Sequence, residues 1–187
     1  MTSRLVILDR DGVINHESGQ HIRSPQQWQA LPGSLEAIAR LCREDYRVVV
    51  ITNQSGIARG FFSIDTLHRI HQKMLEQLSH FGGTLSAIFF CPHSAADNCG
   101  CRKPKPGMFE ELAQRMNRPL GEVFAVGDSL RDLQAAQTAG AKPALVETGH
   151  GAATRRQLER DGRMPEVPVF ADLRQFAEYL LARPAAA

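Results

Sequence analysis

Four short groups of residues have types and spacings that could do chemistry. The first is "DRDG", where Asp9 and Asp11 stand two apart directly after the apolar run "RLVIL". In a tight loop after a strand, residues i and i+2 can both turn toward one substrate group. One carboxylate can then attack phosphorus, while the other protonates the leaving oxygen and later deprotonates water. Gly12 lets the backbone bend away after the second acid. The second group, "TNQS", offers the Thr52 hydroxyl and a run of backbone N–H donors. The third, "CRKPKPG", brings Arg102, Lys103 and Lys105, a cluster suited to an anion. The fourth, "GDS", adds Asp128. Converging carboxylates repel one another unless a cation compensates. Mg²⁺ prefers oxygen ligands and is often shared between one or two carboxylates and a phosphate.

A separate group, Cys91, His93, Cys99 and Cys101, has the arrangement C-x-H-x₅-C-x-C. Three thiolates and an imidazole suit tetrahedral Zn²⁺, and a set of four leaves no open position, so the expected role is structural. The loop around them is rich in proline and poor in apolar residues and cannot hold itself by packing. Zinc would stiffen it and so place Arg102 and Lys103, which follow the last ligand. The fourth cysteine, Cys42, falls on an apolar helix stripe and is expected in the core.

These groups need a scaffold that brings distant segments to one place. Short apolar runs at residues 4–8, 47–52, 85–90, 123–128 and 143–147 read as strands. Helical patterns alternate with them. Leu35, Ile38, Ala39, Leu41 and Cys42 form one stripe, with Ser34 as expected N-cap. Leu67, Ile70, Met74, Leu75 and Leu78 form the next, with Ser63 as cap and Gly82-Gly83 as stop. Further helices are expected over residues 108–116, 130–140, 154–162 and 171–183. Strand and helix repeated five times predict an α/β fold: a doubly wound, mostly parallel sheet with helices on both faces. Ligands bind such sheets beyond the carboxyl ends of the strands, where Asp9, Thr52 and Asp128 fall. One Asp or Thr at a strand end is usually a turn or a cap. The set at successive strand ends is what points to a site.

With 187 residues the chain is expected to form a single domain (1–187), with 91–107 as a zinc-binding insert and 184–187 as a frayed tail. A net charge of +2 is too mild to argue for nucleic acid or a membrane surface. No apolar run approaches the ~20 residues of a membrane span, and the N-terminus lacks a signal-peptide pattern, so the expected location is the cytoplasm. The expected partner is a small soluble sugar phosphate, bound by a monomer.

Taken in order, "DRDGVIN", "VVVITNQSGIARG", "CRKPKPGM" and "AVGDSLRDLQAAQTAG" resemble the four motifs of the haloacid dehalogenase-type phosphatases, across about three quarters of the chain. The combination with "CPH…CxCRKP" is most similar to the branch that dephosphorylates sugar bisphosphates and histidinol phosphate. The resemblance implies a Rossmann-like fold with short lids in place of a large cap, and an aspartyl-phosphate mechanism. It implies that Asp9 is the nucleophile and Asp11 the general acid/base. It implies that Thr52 and Lys103 stabilise the transferring phosphoryl group, and that Arg102 recognises substrate. Mg²⁺ would be held by Asp9, Asp128 and the main-chain carbonyl of Asp11. Glu17, Ser18, Gly19, Gln20, Asn53, Gln54 and Ser55 fall in substrate-contacting segments. Relatives can carry Lys after the metal-binding Asp, where this chain has Ser129, which puts a charge contact from that position in doubt. Asp132, one helical turn on, would orient the site rather than ligate metal.

Other readings stay beside this one. Trp28 is expected to pack its segment rather than touch substrate, and His68 and His71 to be ordinary surface or partly buried histidines. Arg59 could meet a distal phosphate or simply flank a helix. A histidinol-phosphate phosphatase is the nearest enzymatic alternative, and a zinc-stabilised module that binds phosphorylated ligands without turnover is the alternative from another class.

Overall fold

The computed structural model describes residues 4–17 and 19–183. Ser18 and the 184–187 tail lie outside the described residues. Six strands form one parallel sheet in the order β3-β2-β1-β4-β5-β6. They are β1 (Arg4–Leu8), β2 (Tyr46–Asn53), β3 (Ala87–Cys91), β4 (Phe124–Gly127), β5 (Lys142–Val146) and β6 (Val169–Phe170). The helices are α1 (Ser34–Arg43), α2 (Ile64–His80), α3 (Gly107–Arg115), α4 (Leu130–Thr138), α5 (Gly151–Asp161) and α6 (Leu173–Leu181). The expected doubly wound sheet is present. The sixth strand escaped the sequence because two residues carry no periodicity.

Alternation along β1 divides the core. Val6 and Leu8 face a cluster that includes Ile38 and Leu41 of α1, Ile70 and Met74 of α2, and Phe176 of α6. Leu5 and Ile7 face the opposite cluster, with Phe109 and Leu112 of α3 and Ala135 and Ala136 of α4. A strand buried on both faces reads as a continuous apolar run, as "LVIL" and "VVVI" do. Burial on both sides pins β1 beside β2 and β4, with Leu8 opposite both Val50 and Val126. The carboxyl end of β1 is therefore the switch point of the sheet, where chain from β2 leaves on one side and chain from β4 on the other.

Some local expectations are corrected. Ser34 is the first helical residue of α1, and Gly33, at φ +76°, precedes it as N-cap. The Ser34 hydroxyl donates to the main-chain carbonyls of Ile14 and Leu31, so it ties the lid segment to the helix instead of capping it. Leu75 is exposed, because α2 buries only the narrower stripe of Leu67, Ile70, Met74 and Leu78, with His71 beside it. Ser63 does cap α2, accepting from Thr66 N. Cys42 is half-buried at the edge of the core, with its thiol on Thr84 O.

The segment between β1 and α1 is the longest lid. Trp28 anchors it, fully buried in the α1–α2 side of the core. Lys73 Nζ on α2 holds the same segment from outside, donating to Pro25 O at 2.7 Å and Trp28 O at 2.9 Å. Trp28→Ala should cost about 3–5 kcal/mol of stability by leaving a large cavity, read as a lower urea midpoint with an unchanged slope.

Candidate active site

Three of the four expected groups meet around one buried ammonium. Lys103 Nζ lies 3.1 Å from Asp9 Oδ1 and 2.7 Å from Asp132 Oδ1, and donates to Ile51 O at 2.7 Å. Its main chain is fastened reciprocally: Lys103 N donates to Asn53 Oδ1 and Asn53 Nδ2 donates to Lys103 O. Asn53 was expected to contact substrate, but its amide is committed to placing Lys103. Burial works against the Lys103 charge, yet Asp132 and Asp9 outweigh it and raise its pKa. Burial also raises Asp132, but Lys103 and the Ser129 hydrogen bond pull it below the ordinary carboxylate range. Asp132 thus pairs with Lys103 through Oδ1 and with Ser129 through Oδ2. Ser129 N and Oγ both bond Asp132 Oδ2 at the start of α4, so the side chain at the departing position is spent on the helix terminus.

Asp9 ends β1 with Oδ1 accepting from Arg10 N at 2.7 Å. Burial pushes its pKa up to about 6, with Lys103 opposing and Asp132 and Asp11 adding to the rise. Asp11 has the opposite balance. Burial raises it, but the Arg10 charge and hydrogen bonds from Asn15, Arg10 and Gln54 prevail and lower it. Arg10 Nη2 reaches both Asp11 oxygens, at 2.8 and 2.9 Å, and Nε reaches Oδ1 at 3.1 Å. Asn15 Nδ2 and Gln54 Nε2 each add a bond of 2.9 Å. The same Gln54 Nε2 donates to Thr52 Oγ1, which is buried one residue above the end of β2.

Asp128 follows β4 and packs between two glycines. A Cβ on Gly12 would sit 2.1 Å from Asp128 Oδ2, and one on Gly149 would sit 2.2 Å from it. Both glycines have positive φ, so bare Cα atoms and a left-handed backbone are needed together. His150 N donates to Asp128 Oδ2 at 2.8 Å, Thr154 Oγ1 to Asp128 O, and Thr148 Oγ1 to Gly12 O. Sequence reasoning missed this "TGHG" loop after β5, although a glycine beside turn residues at a strand end was its signal. Burial, then Asp132 and Asp9, push Asp128 up to about 8.

Asp128 Oδ1 is buried and has no hydrogen-bond partner among the described residues. Asp9, Asp128 and Asp132 can bring one oxygen each within 4.8 Å of one another. A buried bare carboxylate oxygen beside a second carboxylate is what a hard divalent cation would satisfy, so the residues present fit Mg²⁺. With Asp132 held by Lys103, Asp9 and Asp128 are the side chains left for it.

The cavity over these groups, about 220 Å³, is lined by Asp9, Asp11 and Thr52 at its floor and Arg102, Arg131 and His150 toward its mouth. Of the expected contact residues, Glu17, Gly19, Asn53, Gln54 and Ser55 line it, and Gln20 does not. His21, Ile22 and Arg131 line it without having been singled out. Arg102 Nη1 donates to His93 O, which connects the cavity rim to the cysteine cluster.

In that cluster Cys101 Sγ lies 3.3 Å from Cys91 Sγ, 3.4 Å from Cys99 Sγ and 3.4 Å from His93 Nδ1. Cys91 Sγ is 3.6 Å from both Cys99 Sγ and His93 Nδ1. These edges approach the ~3.8 Å of a tetrahedron with Zn–S arms of 2.3 Å. Burial pushes the Cys91 thiol up to about 12. At Cys99 burial acts the same way, but hydrogen bonds from Cys101 and Arg102 N bring the thiol down to about 7. The donor set fits zinc, which takes thiolates.

A parallel sheet with paired acids at its switch point, a buried lysine and a two-carboxylate cation site defines a hydrolase of phosphate esters in the haloacid dehalogenase class. A family profile described as HAD-hydrolase-like matches residues 100–176. The chain is 54% identical over 178 residues to the D-glycero-β-D-manno-heptose-1,7-bisphosphate 7-phosphatase of Bordetella bronchiseptica, covering 95% of this chain and 98% of that one. It is 46% identical over 184 residues to the enzyme of the same name from Neisseria meningitidis serogroup A, covering 98% and 97%. A crystal structure of the B. bronchiseptica D,D-heptose 1,7-bisphosphate phosphatase complexed with magnesium and phosphate superposes with a TM-score of 0.91 at 53% identity, over 95% of this chain and 98% of that one. The chain belongs to the family of D-glycero-β-D-manno-heptose-1,7-bisphosphate 7-phosphatases.

Two measurements follow from the charges. Asp9 and Asp128 titrate above the ordinary 3.8, near 6 and 8. The metal-free folded protein therefore holds protons that the unfolded chain has lost, and this pair's contribution to stability falls as pH rises through that window. A cation displaces those protons, so the rise in melting temperature caused by Mg²⁺ should be small near about pH 5 and largest above about pH 8. A pH-independent rise would exclude these two carboxylates as ligands. Protein purified without chelator should carry about one zinc per chain, and Cys101→Ser should lose it and melt at lower temperature. Metal analysis and a thermal melt read both.

Proposed function

We propose that this chain removes the 7-phosphate of D-glycero-β-D-manno-heptose 1,7-bisphosphate through a phosphoryl-enzyme on Asp9, in the synthesis of activated heptose for surface glycans. The observation that carries the reading is the divergence of two acids two residues apart. Asp9 faces Lys103, while Asp11 is caged by Arg10, Asn15 and Gln54. That difference supports Asp9 as the group that attacks and Asp11 as the group that handles the proton. The relatives' shared name supplies the sugar and the β anomer.

In the first half-reaction an Asp9 oxygen bonds phosphorus and the bond from phosphorus to the sugar O7 breaks. Asp11 gives O7 its proton. In the second half, water attacks the same phosphorus, its proton passes to Asp11, and the Asp9 carboxylate and inorganic phosphate separate. The Arg10 charge and the hydrogen bonds around Asp11 favour its carboxylate form, the one the second half requires, so the proton given in the first half must be taken up as substrate binds. Thr52 lines the cavity, and Lys103 beside Asp9 brings a fixed positive charge to the place where phosphoryl charge would develop, the kind of preorganised partner that stabilises it. Asp9, Asp128 and the Asp11 carbonyl would hold magnesium, which when bound would supply neutralisation of phosphoryl charge. Arg102 recognises the substrate from the rim. The cavity is smaller than the roughly 300–1,000 Å³ of sites that engulf drug-sized ligands, which suits a phosphate and its sugar carbon inside with the distal phosphate at the mouth. Reduced thiols at the zinc cluster suit a cytoplasmic enzyme.

A phosphate-release screen with both heptose bisphosphate anomers and histidinol phosphate should give the highest kcat/KM for the β anomer. Preference for histidinol phosphate would overturn the reading, and release from none of them would favour a binding module. Asp9→Asn should abolish turnover with the melting temperature retained, and activity within about tenfold of wild type would remove the covalent route.

A further inference from the structure

His71 is a buried titratable group that none of these steps uses. It sits on the inner face of α2, 6% exposed, with its ring 6.3 Å from that of Phe90 on β3. Its Nε2 lies 3.2 Å from Arg10 Nη1. Arg10 is itself completely buried, and its Nε and Nη2 are both spent on Asp11. A guanidinium only donates, so His71 Nε2 must accept, which leaves the ring neutral with its hydrogen on Nδ1. Burial and the adjacent Arg10 charge keep it so, bringing its pKa down to about 3.

A guanidinium is a flat fork, and one end of it cannot be turned without turning the other. Arg10 Nη2 and Nε set the plane in which the Asp11 carboxylate lies, while Nη1 points the opposite way, into α2. We propose that His71 is a positioning residue for proton transfer: by accepting from Arg10 Nη1 it fixes the guanidinium plane and so aims the Asp11 carboxyl at the leaving oxygen. The inference rests on Asp11 being the acid/base. It differs from a packing role for His71, which would need the ring's shape and not its lone pair. His71→Leu keeps much of the volume and removes the acceptor, whereas His71→Gln returns an acceptor oxygen.

The test compares kcat/KM for the heptose bisphosphate with that for p-nitrophenyl phosphate, in wild type, H71L, H71Q and Asp11→Asn. This ratio covers only steps through loss of the leaving group, and p-nitrophenolate leaves with little need of a proton. H71L should lose roughly tenfold or more on the sugar phosphate, mainly in kcat, and about twofold or less on the aryl ester, with H71Q recovering most of the loss. Equal losses on both substrates, wild-type values in H71L, or no recovery in H71Q would each overturn the proposal. An H71L protein that does not fold, beside an H71Q protein with wild-type kcat/KM on both substrates, would support the acceptor role. Asp11→Asn separates the two levels. If its loss is not larger on the sugar phosphate, the acid/base reading of Asp11 falls and this inference with it. If its loss is larger and that of H71L is not, only the role of His71 falls.

Discussion

Lys103 carries its charge in a place where an unpaired ammonium would be strongly disfavoured. Desolvation of a buried ion costs several kcal/mol and is offset only by well-placed partners. Here those partners come from three directions: Asp9 at the end of β1, Ile51 O near the end of β2, and Asp132 on α4. None of these segments is adjacent in sequence to another. The requirement that one ammonium be satisfied thus ties together three segments at the switch point of the sheet. It explains why the Asn53 amide clamps the Lys103 main chain, and why Ser129 is turned to Asp132. It also leaves Asp128 as the carboxylate with an unanswered oxygen, which defines where a cation is needed.

The two acids of "DRDG" acquire different environments from this arrangement. Asp9 shares Lys103 with Asp132 and is raised by burial, whereas Asp11 is surrounded by donors and lowered. Successive residues in a strand point to opposite sides, so a spacing of two would put both side chains on one side in an extended chain. The turn that begins at Arg10, whose carbonyl accepts from Ile14 N and Asn15 N, alters this, and the buried Arg10 side chain serves Asp11. The arginine lowers Asp11, while the Asp11 charge still adds to the rise of Asp9.

The sheet and the floor of the site were legible because they rest on signals local to each segment. Continuous β-branched runs gave β1 and β2, and Asp9, Thr52, Lys103 and Asp128 stood at or after strand ends. The four metal-ligand types within residues 91–101 were equally plain, and the structure gathers them. What stayed hidden depends on partners far along the chain. His71 looked like an unremarkable helix residue because its partner is sixty-one positions away. Asn53 and Gln54 looked like substrate contacts because their amides face the site, yet both are engaged with protein groups. Gly33 displaced Ser34 as helix cap because the lid carbonyls of Ile14 and Leu31 claimed the hydroxyl first.

The two glycines that enclose Asp128 have a consequence for how this protein can vary. Gly12 belongs to a motif that any reader would notice, and Gly149 to a loop that carries no recognised signature. A Cβ on Gly149 would sit 2.6 Å from the Cα of Gly12, and one on Gly12 would sit 3.2 Å from the Cα of Gly149. Neither position has a substitute that evolution could reach by a single conservative step, since even alanine would strike a carboxylate held in place from the main chain of His150. The unsigned loop is therefore under the same steric constraint as the signed one, and the two glycines form a single cradle for Asp128.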